Sequence, residues 1–301
     1  MREIVDGLTE RLWPGRVQSI VPLSQGITNT NYVVDLGDEQ VVIRIPGKNT
    51  RLLGIDRDNE VAVGRLAATI GVGPELITLD ETTGCIVTRF IEGRPIPTEE
   101  LAREPLLGHF VQTLRQVHTA GTVTTVFDPV GVIHHYRDEA AAREVTAPFH
   151  VDEAFSLLER ISNVRPMRPT VLGHNDLLNA NLLYDGRIRI VDWEYAGMTD
   201  PFFDLANVAV NNGFSRDSEV DMVRHYFGEI DDSRMATLHL MKIVSELREA
   251  MWGVMQMAIS SLEVDFATYA TERGSHALAL ATDYDISDLL ALAADYRSRE
   301  P

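Results

Sequence analysis

The stretch Val171–Asp192 reads VLGHNDLLNANLLYDGRIRIVD. It has two short apolar runs with a polar turn between them. Asp176 sits within His174-Asn175-Asp176-Leu177-Leu178, Asn181 follows, and Asp192 closes the next strand-like run. One carboxylate can orient an acceptor hydroxyl, while an amide oxygen and a second carboxylate are the hard ligands that Mg²⁺ prefers. In this order the three predict phosphoryl transfer, with Asp176, Asn181 and Asp192 as catalytic residues and Asn181 and Asp192 as metal ligands. His174 reads as a hydrogen-bonding brace for the loop. Polar residues that merely cap strand ends would not arrive as this ordered set.

Upstream, the pattern predicts an N-terminal helix ending near Trp13, then strands over Ser19–Leu23, Tyr32–Leu36 and Gln40–Ile45. A helix over Arg57–Thr69 follows, then strands over Leu76–Leu79 and Cys85–Phe90. A small, mostly antiparallel sheet with one packed helix accounts for that order. The small polar segment holding Gly26, Thr28, Asn29 and Asn31 lies between two strands, where backbone N–H groups can cover phosphates. It is neither a Walker motif nor the full glycine series of a protein-kinase loop. Arg44 is the candidate phosphate clamp, because a guanidinium grips phosphate oxygens bidentately. The chain's two lysines, Lys48 and Lys242, fall outside the middle of these strands. Glu60, early in the following helix, is the expected partner of Arg44.

Beyond Glu92-Gly93-Arg94-Pro95 the texture becomes helical. Helices are predicted over Thr98–Ala120, within Tyr136–Thr146, and over Asp152–Val164, Phe203–Asn211, Asp217–Phe227, Arg234–Met257, Glu263–Ala281 and Asp285–Arg299. The expected fold class is therefore α+β and bilobed, with a nucleotide-binding N-lobe (1–91) and a helical C-lobe (92–301). The C-lobe carries the catalytic loop and the acceptor pocket, and the cleft between the lobes is the natural nucleotide site.

A 301-residue chain with 45% hydrophobic residues can bury a large core. Its net charge of −18 argues against holding nucleic acid or an anionic membrane through the general surface. One cysteine, Cys85, permits no internal disulfide. No apolar run approaches the roughly 20 residues of a membrane helix, and the N-terminal residues lack a signal-peptide pattern. A cytoplasmic protein is expected, and both a monomer and a homodimer fit its composition.

With these residues assembled, the chain resembles the choline/ethanolamine kinase family, within the aminoglycoside-phosphotransferase and protein-kinase-like group. Ser24–Val33 is similar to the phosphate-loop segment and Val41–Gly47 to the next strand. His174–Leu183 is similar to the catalytic loop, Asp192–Ala196 to the metal-binding segment and Phe203–Asn207 to the helix that follows. Trp252–Gln256, Ala258–Ser261, Tyr269-Ala270 and Arg273 resemble the late helices. The resemblance implies a protein-kinase-like fold, ATP and Mg²⁺ as cofactors, and transfer of the γ-phosphoryl group to choline, ethanolamine or a related amino alcohol. An amine of that kind is held by aromatic faces and carboxylates, which implicates Glu194, Tyr195 and Trp252. Met255 and Asn211 stand where the family often has a tryptophan and a glutamate. The alternatives are a kinase for another metabolite, thiamine-like or aminoglycoside-like, and a catalytically inactive kinase-like binding module.

Overall fold

The computed structural model describes residues 1–23 and 29–299; the expectations for Gly26 and Thr28 lie outside the described residues. Helix α1 (Arg2–Leu12) leads into strands β1 (Ser19–Leu23), β2 (Thr30–Asp35) and β3 (Gln40–Ile45). Helix α2 (Arg57–Thr69), β4 (Leu76–Asp80) and β5 (Cys85–Arg89) follow. The strands form one antiparallel sheet in the order β1-β2-β3-β5-β4. Period-two alternation explains its two faces. Val41, Ile43 and Ile45 of β3, with Cys85 and Val87 of β5, pack with Val5 and Leu8 of α1 in a small core. The intervening Val42, Arg44, Ile86 and Thr88 line a cavity on the other face. Two helices therefore pack here rather than the single expected one, because α1 covers the face that α2 leaves open.

Helix α2 is capped by Asp56, whose side chain accepts from the Asp58 and Asn59 amides. Its Val63 and Ala67 join the larger core, which is otherwise built mainly from residues after Ile96. That larger lobe contains α3 (Thr98–Leu101), α4 (Leu106–His118), α5 (Pro129–Ala141), α6 (Val151–Val164), α7 (Pro201–Asn211), α8 (Arg216–Phe227), α9 (Asp232–Ile259), α10 (Phe266–Leu280) and α11 (Ile286–Arg299). The architecture is bilobed, with an antiparallel sheet in the small lobe and helices in the large one, as the sequence predicts.

Two helical boundaries differ from expectation by the most. The run predicted over Thr98–Ala120 breaks into α3 and α4, because Pro105 lacks an N–H and disfavours helical geometry in the residue before it. Helix α5 starts at Pro129, well before Tyr136, because Asp128 accepts from the Val130 amide and proline suits the first helical position.

Short strands interrupt the helices. β7 (Val171–Gly173) pairs with β10 (Gly197–Thr199), while β6 (Arg94–Pro95), β8 (Leu182–Tyr184) and β9 (Ile188–Ile190) form a small sheet. β9 ends at Ile190, so Asp192 lies in the irregular segment beyond the strand rather than at its end. Helix α9 is buried along nearly its whole length, against α5, α7, α10 and α11. An almost wholly buried helix can bring polar side chains to a site only when they find partners inside the protein.

Candidate active site

β7 delivers His174, Asn175 and Asp176 to the end of the sheet. A Cβ on Gly173 would lie 2.3 Å from Thr199 Cγ2, so only glycine lets β7 and β10 approach this closely. Asn175 and Asp192 both have φ of +65°, a strained conformation for a non-glycine residue. Such strain persists only where surrounding contacts hold it, and both segments are tightly held. The fully buried Asp204, in the first turn of α7, accepts from the His174 amide at 2.8 Å and the Asn175 amide at 2.7 Å. It also accepts from His118 Nε2 at 3.0 Å. Burial alone would raise the Asp204 pKa, but these bonds, led by that of His118, outweigh it and leave the carboxyl below its ordinary value. Asn207, one turn on, accepts from the Leu177 amide at 2.5 Å and donates to Ser245 Oγ at 3.1 Å.

His174 plays the bracing part the sequence suggests. Its Nε2 donates to the Val191 carbonyl at 3.0 Å and its Nδ1 accepts from the Asp176 amide at 3.3 Å, tying the two halves of the loop together. Burial lowers its pKa, in keeping with a neutral ring that both donates and accepts. The Trp193 ring meets it edge-on at 4.7 Å.

Asp176 lies beneath the cavity, and burial, partly offset by Arg248, pushes its carboxyl up to about 8. Asn181 Nδ2 donates to the Asp176 carbonyl at 2.9 Å, which turns the amide so that the Asp176 and Asn181 side chains adjoin. Both line the same cavity as Asp192. Arg44 Nη1 reaches Asp192 Oδ1 at 2.6 Å and its other terminal nitrogen pairs with Glu60, so the expected Arg44–Glu60 pair forms. A second arginine, Arg57, pairs with Glu60 and donates to Glu194 at 3.1 Å and to Asn29 at 3.1 Å. Asn29 in turn donates to Glu194 at 2.9 Å. Carboxylates from both lobes thus share two guanidinium groups across the cleft. Asn31, opposite Arg44 in the β2–β3 register, also lines the cavity.

The cavity holds about 620 Å³, within the usual size of small-molecule sites. One end, beneath the sheet, is apolar, with Val42, Leu76, Ile86, Ile91, Leu183 and Val191 among its walls. The other end receives one face of α9. Arg248, Glu249 and Trp252 follow at helical spacing, and Tyr269 and Arg273 of α10 stand opposite. Arg248 is fully buried, and its Nη1 reaches Glu249 at 2.6 Å and Asp176 at 3.3 Å. Tyr269 donates its hydroxyl to Glu249 at 2.7 Å.

The sequence pattern of the phosphotransferase enzyme family (APH) matches residues 19–238, which takes in the sheet, the catalytic loop and α7. The chain belongs to that family. Its C-terminal helices extend the likeness. Protein LicA of Haemophilus influenzae is 25% identical over 273 residues, 85% of this chain and 78% of that one. Ethanolamine kinase 2 of Rattus norvegicus is 27% identical over 286 residues, 82% of this chain and 72% of that one. The crystal structure of a choline/ethanolamine kinase family protein from Mesorhizobium loti superposes with a TM-score of 0.80 at 29% identity. That match covers 98% of this chain and all of the other. The resemblance to choline/ethanolamine kinases is thus borne out at the level of family and fold. The chain is a small-molecule kinase of the phosphotransferase superfamily.

Within this phosphotransferase, Asp176, Asn181, Asp192, Asn29, Asn31, Arg44, Glu60, Glu194, Tyr195 and Trp252 all line one cavity. Not all of them face the cavity freely: Glu194 is engaged by Arg57 and Asn29, and Tyr195 carries the Arg248 guanidinium 4.4 Å from its ring centre. Met255 is packed in the core, and neither it nor Asn211 lines the cavity. Sequence reading gave no role to Arg57, Asp204, Asn207, Arg248 or Glu249. The charged pair within the apolar run of α9, one turn before Trp252, was the available signal for the last two. Among the described residues no helix is long and apolar enough to cross a membrane.

Proposed function

We propose that this protein transfers the γ-phosphoryl group of ATP to the hydroxyl of choline, ethanolamine or a related amino alcohol. The observation that carries the reading is the single cavity that joins Asp176, Asn181 and Asp192 to a corner built from Glu249, Trp252 and Tyr269. Asp176 accepts the hydroxyl proton as the acceptor oxygen attacks the γ-phosphorus and ADP leaves. Its raised pKa makes it a better proton acceptor than an ordinary carboxylate. Arg44, tethered between Glu60 and Asp192, is placed to meet phosphate oxygens, and the apolar end beneath the sheet suits an adenine ring.

The donor chemistry fits Mg²⁺. Asn181 and Asp192 offer oxygens to the cavity, and the Asn181 amide nitrogen is already committed to the Asp176 carbonyl, leaving its oxygen to ligate. Mg²⁺ is typically held by one or two protein oxygens, with phosphates and water completing its shell. Bound there, Mg²⁺ would neutralise charge on the phosphate oxygens.

The experiment that tests the reading is ADP release from Mg·ATP over a panel of choline, ethanolamine, thiamine and an aminoglycoside. Turnover is expected with an amino alcohol and not with the last two. Turnover confined to thiamine or the aminoglycoside would replace the acceptor class. Asp192→Ala is expected to weaken Mg·ATP binding by about tenfold or more, measured by titration calorimetry with and without Mg²⁺. Unchanged Mg·ATP affinity would remove Asp192 from the metal site.

A further inference from the structure

We infer that Glu249 is the carboxylate that receives the acceptor's nitrogen, and that the site selects an ammonium carrying N–H donors over a quaternary one. This assignment rests on the amino-alcohol reading above and names the acceptor class within it.

A quaternary ammonium donates no hydrogen bond, so it is held chiefly by open aromatic faces. Among the described residues, two of the three aromatic rings at this end of the cavity already carry the chain's own cations. The Arg248 guanidinium lies 4.4 Å from the Tyr195 ring centre, and that of Arg273 lies 5.3 Å from the Tyr269 ring centre. The third ring, Trp252, meets Phe266 and Tyr269 edge-on, at 78° and 74°. One indole does not make a cage.

Neither arginine presents a free positive charge to an anionic acceptor instead. Arg248 is matched by Glu249 and Asp176, and Arg273 by Glu246 at 3.2 Å. The feature left for recognition is the Glu249 carboxylate. Arg248 holds one of its oxygens and the Tyr269 hydroxyl holds the other, so its direction is fixed in advance. An ionised carboxylate has about four lone-pair sites, and these two bonds leave capacity for donors from a protonated amine. Arg248 Nη1 also contacts Asp176. One guanidinium nitrogen therefore holds the nitrogen-binding carboxylate and the hydroxyl-binding carboxylate close together, which suits a short amino alcohol bonded at both ends.

The test is steady-state kinetics of the full chain with ethanolamine, N-methylethanolamine, N,N-dimethylethanolamine and choline at saturating Mg·ATP. Wild type and Glu249→Gln would run side by side. For wild type, the sharpest fall in kcat/KM, about tenfold or more, is expected at the last methylation, which removes the last N–H. Glu249→Gln is expected to raise the KM for ethanolamine by about tenfold, to leave the KM for ATP nearly unchanged and to collapse the preference over choline. A wild-type enzyme that uses choline as well as ethanolamine would overturn the inference while keeping the kinase. An equal loss for all four acceptors in Glu249→Gln would do the same. The wild-type series needs no variant to fold. If none of the four is phosphorylated, the amino-alcohol reading itself fails and this assignment falls with it.

Discussion

Replacing Asp176 with alanine is expected to lower turnover by about 10²–10⁴-fold, the usual contribution of a positioned general base, and to leave nucleotide affinity close to wild type. In the proposed reaction Asp176 serves the acceptor, and Arg44 and Asp192, which line the same cavity, remain to engage the nucleotide. Stability should move the other way, or not at all. A carboxyl pushed up to about 8 by burial is costly to keep ionised in the folded state at neutral pH. Arg248 also pairs with Glu249 at 2.6 Å, so the substitution strands no buried cation. Turnover and the urea midpoint should be measured on the same preparation. Near-normal turnover would remove Asp176 from the chemistry, and a large stability loss would mark it as structural.

Asp204→Ala should do the reverse and act first on the fold. The substitution leaves three buried donors without their acceptor: the His174 and Asn175 amides and His118 Nε2. Each such orphan costs about 1–3 kcal/mol, and they adjoin one another, so the sum is not additive. A net loss of about 3 kcal/mol or more is expected, a large fraction of the roughly 5–15 kcal/mol of a typical domain. The strained Asn175 conformation loses its tether at the same time, so activity falls even in the folded fraction. Urea unfolding of the variant reads the first effect, and turnover per folded molecule reads the second. A loss below about 1 kcal/mol, no more than one ordinary hydrogen bond, would show that water or neighbouring groups replace the carboxylate.

Why these two buried aspartates differ is not visible along the chain. Both sit in short motifs of similar polarity, HND and FDLAN. One ends among donors that stabilise its charge, and the other ends buried at the edge of a cavity, where Arg248 offsets only part of the cost of burial and neighbouring carboxylates add to it. The small-lobe strands and α2 were legible because alternation and helical spacing are local, and Arg44 and Glu60 could be anticipated from their places on adjacent elements. Pro105 and Asp128 altered two helix boundaries through local backbone chemistry that a hydrophobic period does not weigh. Asn29 and Glu194 were singled out separately, but Arg57 joins them only once the lobes close on one another.

The sequence alone determined the bilobed α+β plan, the order of the small-lobe elements and the Asp176–Asn181–Asp192 set, since each depends on residue type and spacing within a few turns of chain. Tertiary structure alone decided which aromatic faces remain open and which carboxylate in the corner between α9 and α10 is held in a fixed direction. It placed Arg248 over Tyr195 and Arg273 over Tyr269, and turned Glu249 toward both Arg248 and the Tyr269 hydroxyl. Burial, partner geometry and the charge state they impose arise between segments far apart in the chain, and no period in the sequence encodes them.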